Sequence, residues 1–280
     1  MSKHKAHLLQ TYHATGELLV LPNAWDALSA ALMARAGAKA VATTSAGVAW
    51  AMGFQDGSLA RTRSARLDRS QMVEAIGRIA DVVDVPVTAD IEDGYGPALH
   101  DVATTVEQVI AAGAVGINLE DTTHAHDAVL DVDACTARLR AARDAAAAAG
   151  LPELVINART DVFLVGRRDL AEVVERGNAY AEAGADCLFV PGLLDLSALA
   201  SLAEAVPLPI NAMAVPSGPT IAQLAAAGVR RVSVGSAVQQ AAYAAAATAA
   251  AELLESGTYG TFAGALGIRE INSLLPGRRS

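Results

Sequence analysis

The stretch Ala112-Gly113-Ala114-Val115-Gly116-Ile117-Asn118-Leu119-Glu120-Asp121 decides the fold. It ends a helical run, turns on a glycine, and enters a short apolar strand that finishes in acid. Glycine after a helix supplies the left-handed residue that stops it. A strand apolar on both faces is buried on both, as in a parallel sheet. The phrase recurs: Ala36-Gly37-Ala38 precedes AVATTS, Ala183-Gly184-Ala185 precedes CLFVPG, and Ala227-Gly228-Val229 precedes RVSVGS. Further strands fit LLVLPNA (18–24), PVTADIE (86–92), LVINART (154–160) and PINAMA (209–214). Helical patterns over 26–36, 70–83, 102–112, 133–149, 169–183, 195–205 and 220–227 separate most of them. Strands alternating with helices, without a domain break, predict an α/β protein: a single (β/α)8 TIM barrel over 1–280, with 258–280 as a C-terminal helical extension. The other arrangement is an open doubly wound sheet, and no G-x-G-x-x-G follows the first strand to favour it.

The composition supports this reading. With 52% hydrophobic and only 4% aromatic residues, the core is built from Ala, Val, Leu and Ile. A formal charge of −9 argues against nucleic acid as a partner. Two cysteines, Cys135 and Cys187, make no disulfide framework and read as core positions. The N-terminus lacks the apolar core of a signal peptide. The apolar run 234–254 is interrupted by Ser236, Gln239, Gln240 and Glu252, so it reads as a packed helix rather than a membrane span. A cytoplasmic protein without a membrane partner is expected. The only lysines are Lys3, Lys5 and Lys39. Schiff-base chemistry needs a lysine in a pocket. Lys39 precedes its strand and so falls on the face opposite a barrel's active site.

Polar residues gather at the strand ends, where a barrel places its catalysis. Asp90 and Glu92 are two apart, which on a strand points both to one side. Glu120 ends the next strand. Three converging carboxylates repel one another unless a cation sits among them, and oxygen ligands suit Mg2+, with Mn2+ as the alternative. Arg159 offers a bidentate fork for a substrate carboxylate; a structural ion pair with Glu120 or Asp161 is the other reading. Ser45-Ala46-Gly47 is placed to present backbone N–H groups to an anion. His124 and His126, in the loop DTTHAHDAVLD, are candidates for a lid acid or base, against a plain solvated loop.

Together these strand ends resemble the isocitrate lyase and phosphoenolpyruvate mutase superfamily. TADIEDGYG (88–96) is similar to its metal-binding segment, INLED (117–121) to its IED motif, and INARTD (156–161) to its ARTD motif. TTSAG (43–47), with GFQDG (53–57) behind it, resembles the substrate loop and its following Asp. The resemblance implies a Mg2+-dependent homo-oligomer, a tetramer or dimer, that exchanges its last helix between subunits. It implies that Asp90 coordinates the metal directly or through water, that Glu92 and Glu120 hold metal-bound waters, and that Arg159 grips the substrate carboxylate. Ser45, Ala46 and Gly47 then bind the 2-oxo acid end, with Asp56 and Asn211 in the same pocket. The K-K-C-G-H lid of the isocitrate and methylisocitrate lyases is missing, which argues against those two activities. The expected chemistry is carbon–carbon cleavage of a small 2-oxo acid or dicarboxylate: decarboxylation of an oxaloacetate-like acid or lysis of a substituted malate. P–C bond mutase or hydrolase chemistry, and a 2-oxo acid binding protein with little turnover, are the alternatives. Trp25-Asp26 and Asn157 take no role from the resemblance.

Overall fold

The computed structural model describes residues 2–56, 66–122 and 128–275. Its strands are β1 (Leu19–Leu21), β2 (Asn23–Ala24), β3 (Val41–Thr43), β4 (Val87–Asp90), β5 (Gly116–Glu120), β6 (Val155–Arg159), β7 (Cys187–Phe189), β8 (Ile210–Met213) and β9 (Val229–Ser233). All pair in parallel, in the order β1-β9-β8-β7-β6-β5-β4-β3-β2. The two strands at the ends of that order are consecutive in the chain, so the barrel closes. The expected first strand, 18–24, is split at Pro22, which has no N–H to give a ladder. Its two halves pair with opposite neighbours, β1 with β9 and β2 with β3. Asn23 stitches the seam: its Nδ2 donates to the Thr43 carbonyl and its Oδ1 accepts from the Val234 amide, both at 2.9 Å.

The barrel is wrapped by α2 (Ala27–Arg35), α4 (Arg69–Asp81), α5 (Leu99–Ala111), α6 (Val132–Ala148), α7 (Leu170–Glu182), α8 (Leu196–Ala205) and α9 (Ile221–Ala226). The glycine stops are left-handed as expected, Gly113 at φ 100° for example. Much of the acidity is spent on helix starts. Asp26, Asp68, Asp131, Asp169 and Asp195 all accept backbone N–H groups at N-caps, which explains the Asp26 that the motif comparison left without a role.

Two helices carry no clear sequence signal. α1 (Ser2–Ala14) buries Ala6 and Leu9, and Leu9 reaches Gly116 at the start of β5, so α1 closes the N-terminal end of the barrel. α3 (Ser45–Ala51) follows β3 directly, capped by Thr44. Lys39 pairs with Glu17 at 3.2 Å, exposed and away from the strand ends.

The expected packed helix at 234–254 is realised as α10 (Ala237–Ala251), but Gln239 is its only buried residue. The helical extension expected over 258–280 is broken in its described part. A 3-10 turn spans Gly260–Gly264, Ala265 is extended, and α11 (Ile268–Leu274) follows. Gly264 and Gly267 account for the break through their low helix propensity. Among the described residues, no helix is long and apolar enough to cross a membrane.

Inside the barrel lies a polar layer. Asn118 pairs in register with Asn157, Asn157 with Cys187, and Asn211 with Arg231. Asn157 Nδ2 donates to Asn118 Oδ1 at 2.6 Å, and Arg231 Nη2 donates to the same oxygen at 3.2 Å. Asn157 therefore serves the barrel interior. Arg231 is fully buried, and its Nε and Nη1 have no partner among the described residues.

Candidate active site

A cleft of about 160 Å³ opens at the C-terminal ends of the strands, lined by Ser45, Asp56, Asp90, Glu92, Glu120 and Arg159 among others. Asp90 is the last residue of β4. Its Oδ2 accepts from the Ser45 amide at 3.0 Å and the Ser45 hydroxyl at 2.8 Å, and its own amide donates to Thr43 Oγ1 at 2.8 Å. The Ser45 N–H expected to face an anion is thus committed to Asp90.

Glu92 does not lie on the strand, contrary to the two-residue alternation. β4 ends at Asp90, and Glu92 sits in the turn beyond with φ 50°. It reaches the cleft because the chain bends, at the cost of a left-handed conformation that a residue with a side chain adopts reluctantly. Glu92 Oε2 accepts from Arg66 Nη2 at 3.2 Å. Burial pushes its carboxyl up to about 7, and the charges of Asp90 and Asp93 push the same way against Arg66. Arg138 of α6 braces the turn that follows, donating to the carbonyls of Asp93, Gly96 and Pro97.

Glu120 ends β5 directly opposite Arg159 on β6. Its Oε2 lies 2.9 Å from Arg159 Nη1, and its Oε1 accepts from Thr122 Oγ1 at 2.9 Å. Arg159 is held on its other edge by Asp161, Nε to Oδ1 at 2.6 Å and Nη2 to Oδ2 at 2.8 Å. Both readings of Arg159 therefore apply to one side chain. It is ion-paired with Glu120 and Asp161, yet these contacts engage three of its five N–H groups, and it lines the cleft. Burial raises the Glu120 carboxyl well above its ordinary range, while Arg159 opposes the shift.

Behind this pair, Asp121 is a buried knot. Its Oδ1 accepts from the Asp161 amide at 2.9 Å, and its Oδ2 accepts from the Tyr180 hydroxyl at 2.8 Å and from Arg176 Nη1 at 3.2 Å. The ends of β5 and β6 are thereby tied to α7. Arg138, Arg176 and Tyr180 sit on helices without a local motif, so only the tertiary structure reveals them. Asp121 was in view inside INLED, but its partners were not.

Ala46 lines the cleft; Gly47 and Asn211 do not. Asn211 is wholly buried, its Oδ1 accepting from the Ser233 hydroxyl at 3.4 Å. Both cysteines are buried and free. His124 and His126 lie outside the described residues.

The three cleft carboxylates do not converge as direct ligands: among the described residues, no group of three ligand-bearing side chains is close enough to hold an ion. Each has instead a hydrogen-bonding or ionic partner. That arrangement fits a cation that takes one or two carboxylates and keeps its waters, as Mg2+ does. Burial is the first cause of the raised Glu92 carboxyl, and the charges of Asp90 and Asp93 add to it against Arg66.

The phosphoenolpyruvate phosphomutase family model matches residues 9–254. The chain belongs to that family, within the isocitrate lyase/PEP mutase superfamily. It is 38% identical over 239 residues to an uncharacterised protein of Mycobacterium tuberculosis, covering 85% of each chain. It is 34% identical over 203 residues to the 2-methylisocitrate lyase of Escherichia coli, covering 70% of this chain and 64% of that one. Among solved structures, oxaloacetate acetylhydrolase in complex with its product oxalate matches with a TM-score of 0.85 at 29% identity, covering 96% of this chain and 93% of that one. The similarity spans the barrel and the strand ends that build the cleft.

Proposed function

We propose that this family member is a Mg2+-dependent carbon–carbon lyase acting on a small 2-oxo acid or substituted malate, with Mn2+ as an alternative ion. The observation that carries the reading is the pairing of a carboxylate-rich cleft wall with Arg159 across one ladder rung, at the catalytic end of a barrel. Asp90, Glu92 and Glu120 hold the cation and its waters. Bound there, a divalent cation supplies positive charge for the enolate that develops when a bond at C3 breaks. Arg159 takes the substrate carboxylate with its remaining N–H groups, and Asp161 and Glu120 keep the guanidinium aimed. Ser45 and Ala46 form the wall beside the 2-oxo acid end, with Gly47 supporting them from behind, Asp56 at the rim and Asn211 beneath.

Decarboxylation asks least of a lid, because carbon dioxide leaves without a protein acid. His124 and His126 are the proposed donors if the product carbon is protonated by the enzyme. The phosphomutase family match keeps P–C chemistry as the second reading. One assay separates these: oxaloacetate, dimethylmalate, methylisocitrate and phosphonopyruvate, each with Mg2+ and after chelation. Turnover of oxaloacetate or dimethylmalate only with metal supports the proposal. Phosphate release from phosphonopyruvate as the main activity replaces it with the second reading, and binding without turnover leaves a 2-oxo acid binding protein. Methylisocitrate is expected to be inert.

We also infer a homo-oligomer, tetramer or dimer, in which the segment from residue 258 onward packs on a neighbour. Leu254 is 84% exposed, Tyr259 67% and Ile268 79%, an apolar run that its own barrel leaves uncovered. A chain truncated after Gly257 should show a smaller subunit count in light scattering. An unchanged count sinks the exchange.

A further inference from the structure

We propose that Gln239 is a positioning residue for the Ser45–Gly47 turn, transmitting the placement of α10 into the cleft. The proposal rests on the reading of that turn as part of the 2-oxo acid site. α10 runs fifteen residues and buries one side chain, and that side chain is polar. Burying an amide costs free energy unless its hydrogen bonds are made, so its target matters. Gln239 Nε2 donates to the Gly47 carbonyl at 2.8 Å and to the Tyr243 hydroxyl at 2.9 Å. The carbonyl partner settles which way the amide faces, since only the NH2 end can donate to it. Oε1 is left buried without a partner among the described residues. It fills the space where a side chain at Gly47 would lie, together with the Thr44 methyl and Trp25 Cβ. Trp25 and Gln239 thus pack together against the Cα of Gly47, a role for Trp25 that its sequence context did not suggest.

The turn needs such support. α3 has seven residues, too few to stand by its own hydrogen bonds. Its N-cap bond, from the Gly47 amide to Thr44 Oγ1, is long at 3.4 Å. The firm anchors are Asp90, which holds Ser45, and Gln239, which holds Gly47. One of them is a cleft carboxylate and the other comes from the helix that leads into the uncovered C-terminal segment.

The test uses the full-length protein and Gln239→Met, which keeps volume and removes the donor. Backbone hydrogen exchange over residues 44–52 is read in metal-free protein, oxalate affinity with Mg2+ by calorimetry, and subunit count by light scattering. Loss of one buried hydrogen bond should speed exchange there by about fivefold and weaken oxalate by about the same factor, with the subunit count unchanged. Tyr243→Phe, at a half-exposed position that does not threaten folding, should act in the same direction and less. Wild-type exchange over 44–52 in both variants overturns the proposal, as does a changed subunit count with unchanged exchange. Wild-type protein that binds neither oxalate nor a 2-oxo acid overturns the functional reading instead. The exchange result alone then decides whether Gln239 holds the turn.

Discussion

The cleft and the barrel layer beneath it bury charge in opposite senses. At the cleft, burial and the neighbouring Asp90 push the Glu92 carboxyl up to about 7. Toward the N-terminal end, burial and Arg231 push His13 of α1 down to about 4. Arg231 itself, wholly buried, is pushed down to about 10. Desolvation disfavours the charged form in every case, so an acid rises and a base falls. At Glu92 and His13 the sign of the neighbours adds to it, through Asp90 and Asp93 at the mouth and Arg231 in the interior, whereas at Arg231 itself Cys187 and Asp90 oppose it. The difference teaches that burial sets the direction in both layers, with Asp90 and Asp93 adding to it at Glu92 and Arg231, which pairs with no carboxylate among the described residues, adding to it at His13.

The largest effect expected at the mouth is catalytic. Asp90→Asn keeps an acceptor for Ser45 and removes only the charge. Mg2+-dependent turnover should fall by about 100-fold or more, which corresponds to roughly 3 kcal/mol of lost charge stabilisation. Asp90→Ala should lose as much activity and also loosen the fold by about 1–3 kcal/mol, because the Ser45 donors lose their acceptor. Steady-state rates and thermal melts measure both, and an active Asp90→Asn enzyme would place the metal elsewhere.

The next effect is a pH slope in metal-free protein. Folded Glu92 keeps its proton to about pH 7, whereas the unfolded chain releases it near 4.5. The native state therefore binds more protons across that window, and stability falls as pH rises through it, by on the order of 3 kcal/mol. Glu92→Gln should flatten this part of a denaturation profile. A profile identical to wild type would show that Glu92 titrates normally.

His13 should slope the other way. The unfolded imidazole takes a proton near 6.5, the folded one only near 4. Stability is thus complete above 6.5 and declines as pH drops toward 4, again by on the order of 3 kcal/mol. His13→Gln should remove that acid-side decline, and its persistence in the variant would assign it to other groups.

The smallest expected change links the two layers. Arg231 is the second cause of the His13 shift, after burial. Arg231→Met should therefore raise the His13 pKa partway, read by NMR titration. No movement would mean that burial alone sets it.

The barrel and the polar strand ends were legible in the sequence because both are local patterns. A glycine-stopped helix and a doubly apolar strand are short-range signals, repeated often enough to define the architecture. The carboxylates and Arg159 stood out for the same reason, as polar endings on apolar strands. Legibility failed where the partner is distant in the chain. The alternation argument put Glu92 on a strand, but the chain leaves the sheet after Asp90, Glu92 reaches the cleft in a left-handed conformation, and the turn that follows it is braced by Arg138, 45 positions beyond Asp93. α1 has weak amphipathic character and is recognisable only from the barrel end it closes. α10 looks apolar enough for a core, yet its own barrel covers only Gln239. The amino-acid sequence by itself determined the element types, their order and the chemical character of the strand ends, because propensity and periodicity act over a few residues. Which donors satisfy each buried carboxylate, and which buried charge goes unpaired, the tertiary structure alone decided, because those energies depend on groups that meet only once the barrel has closed.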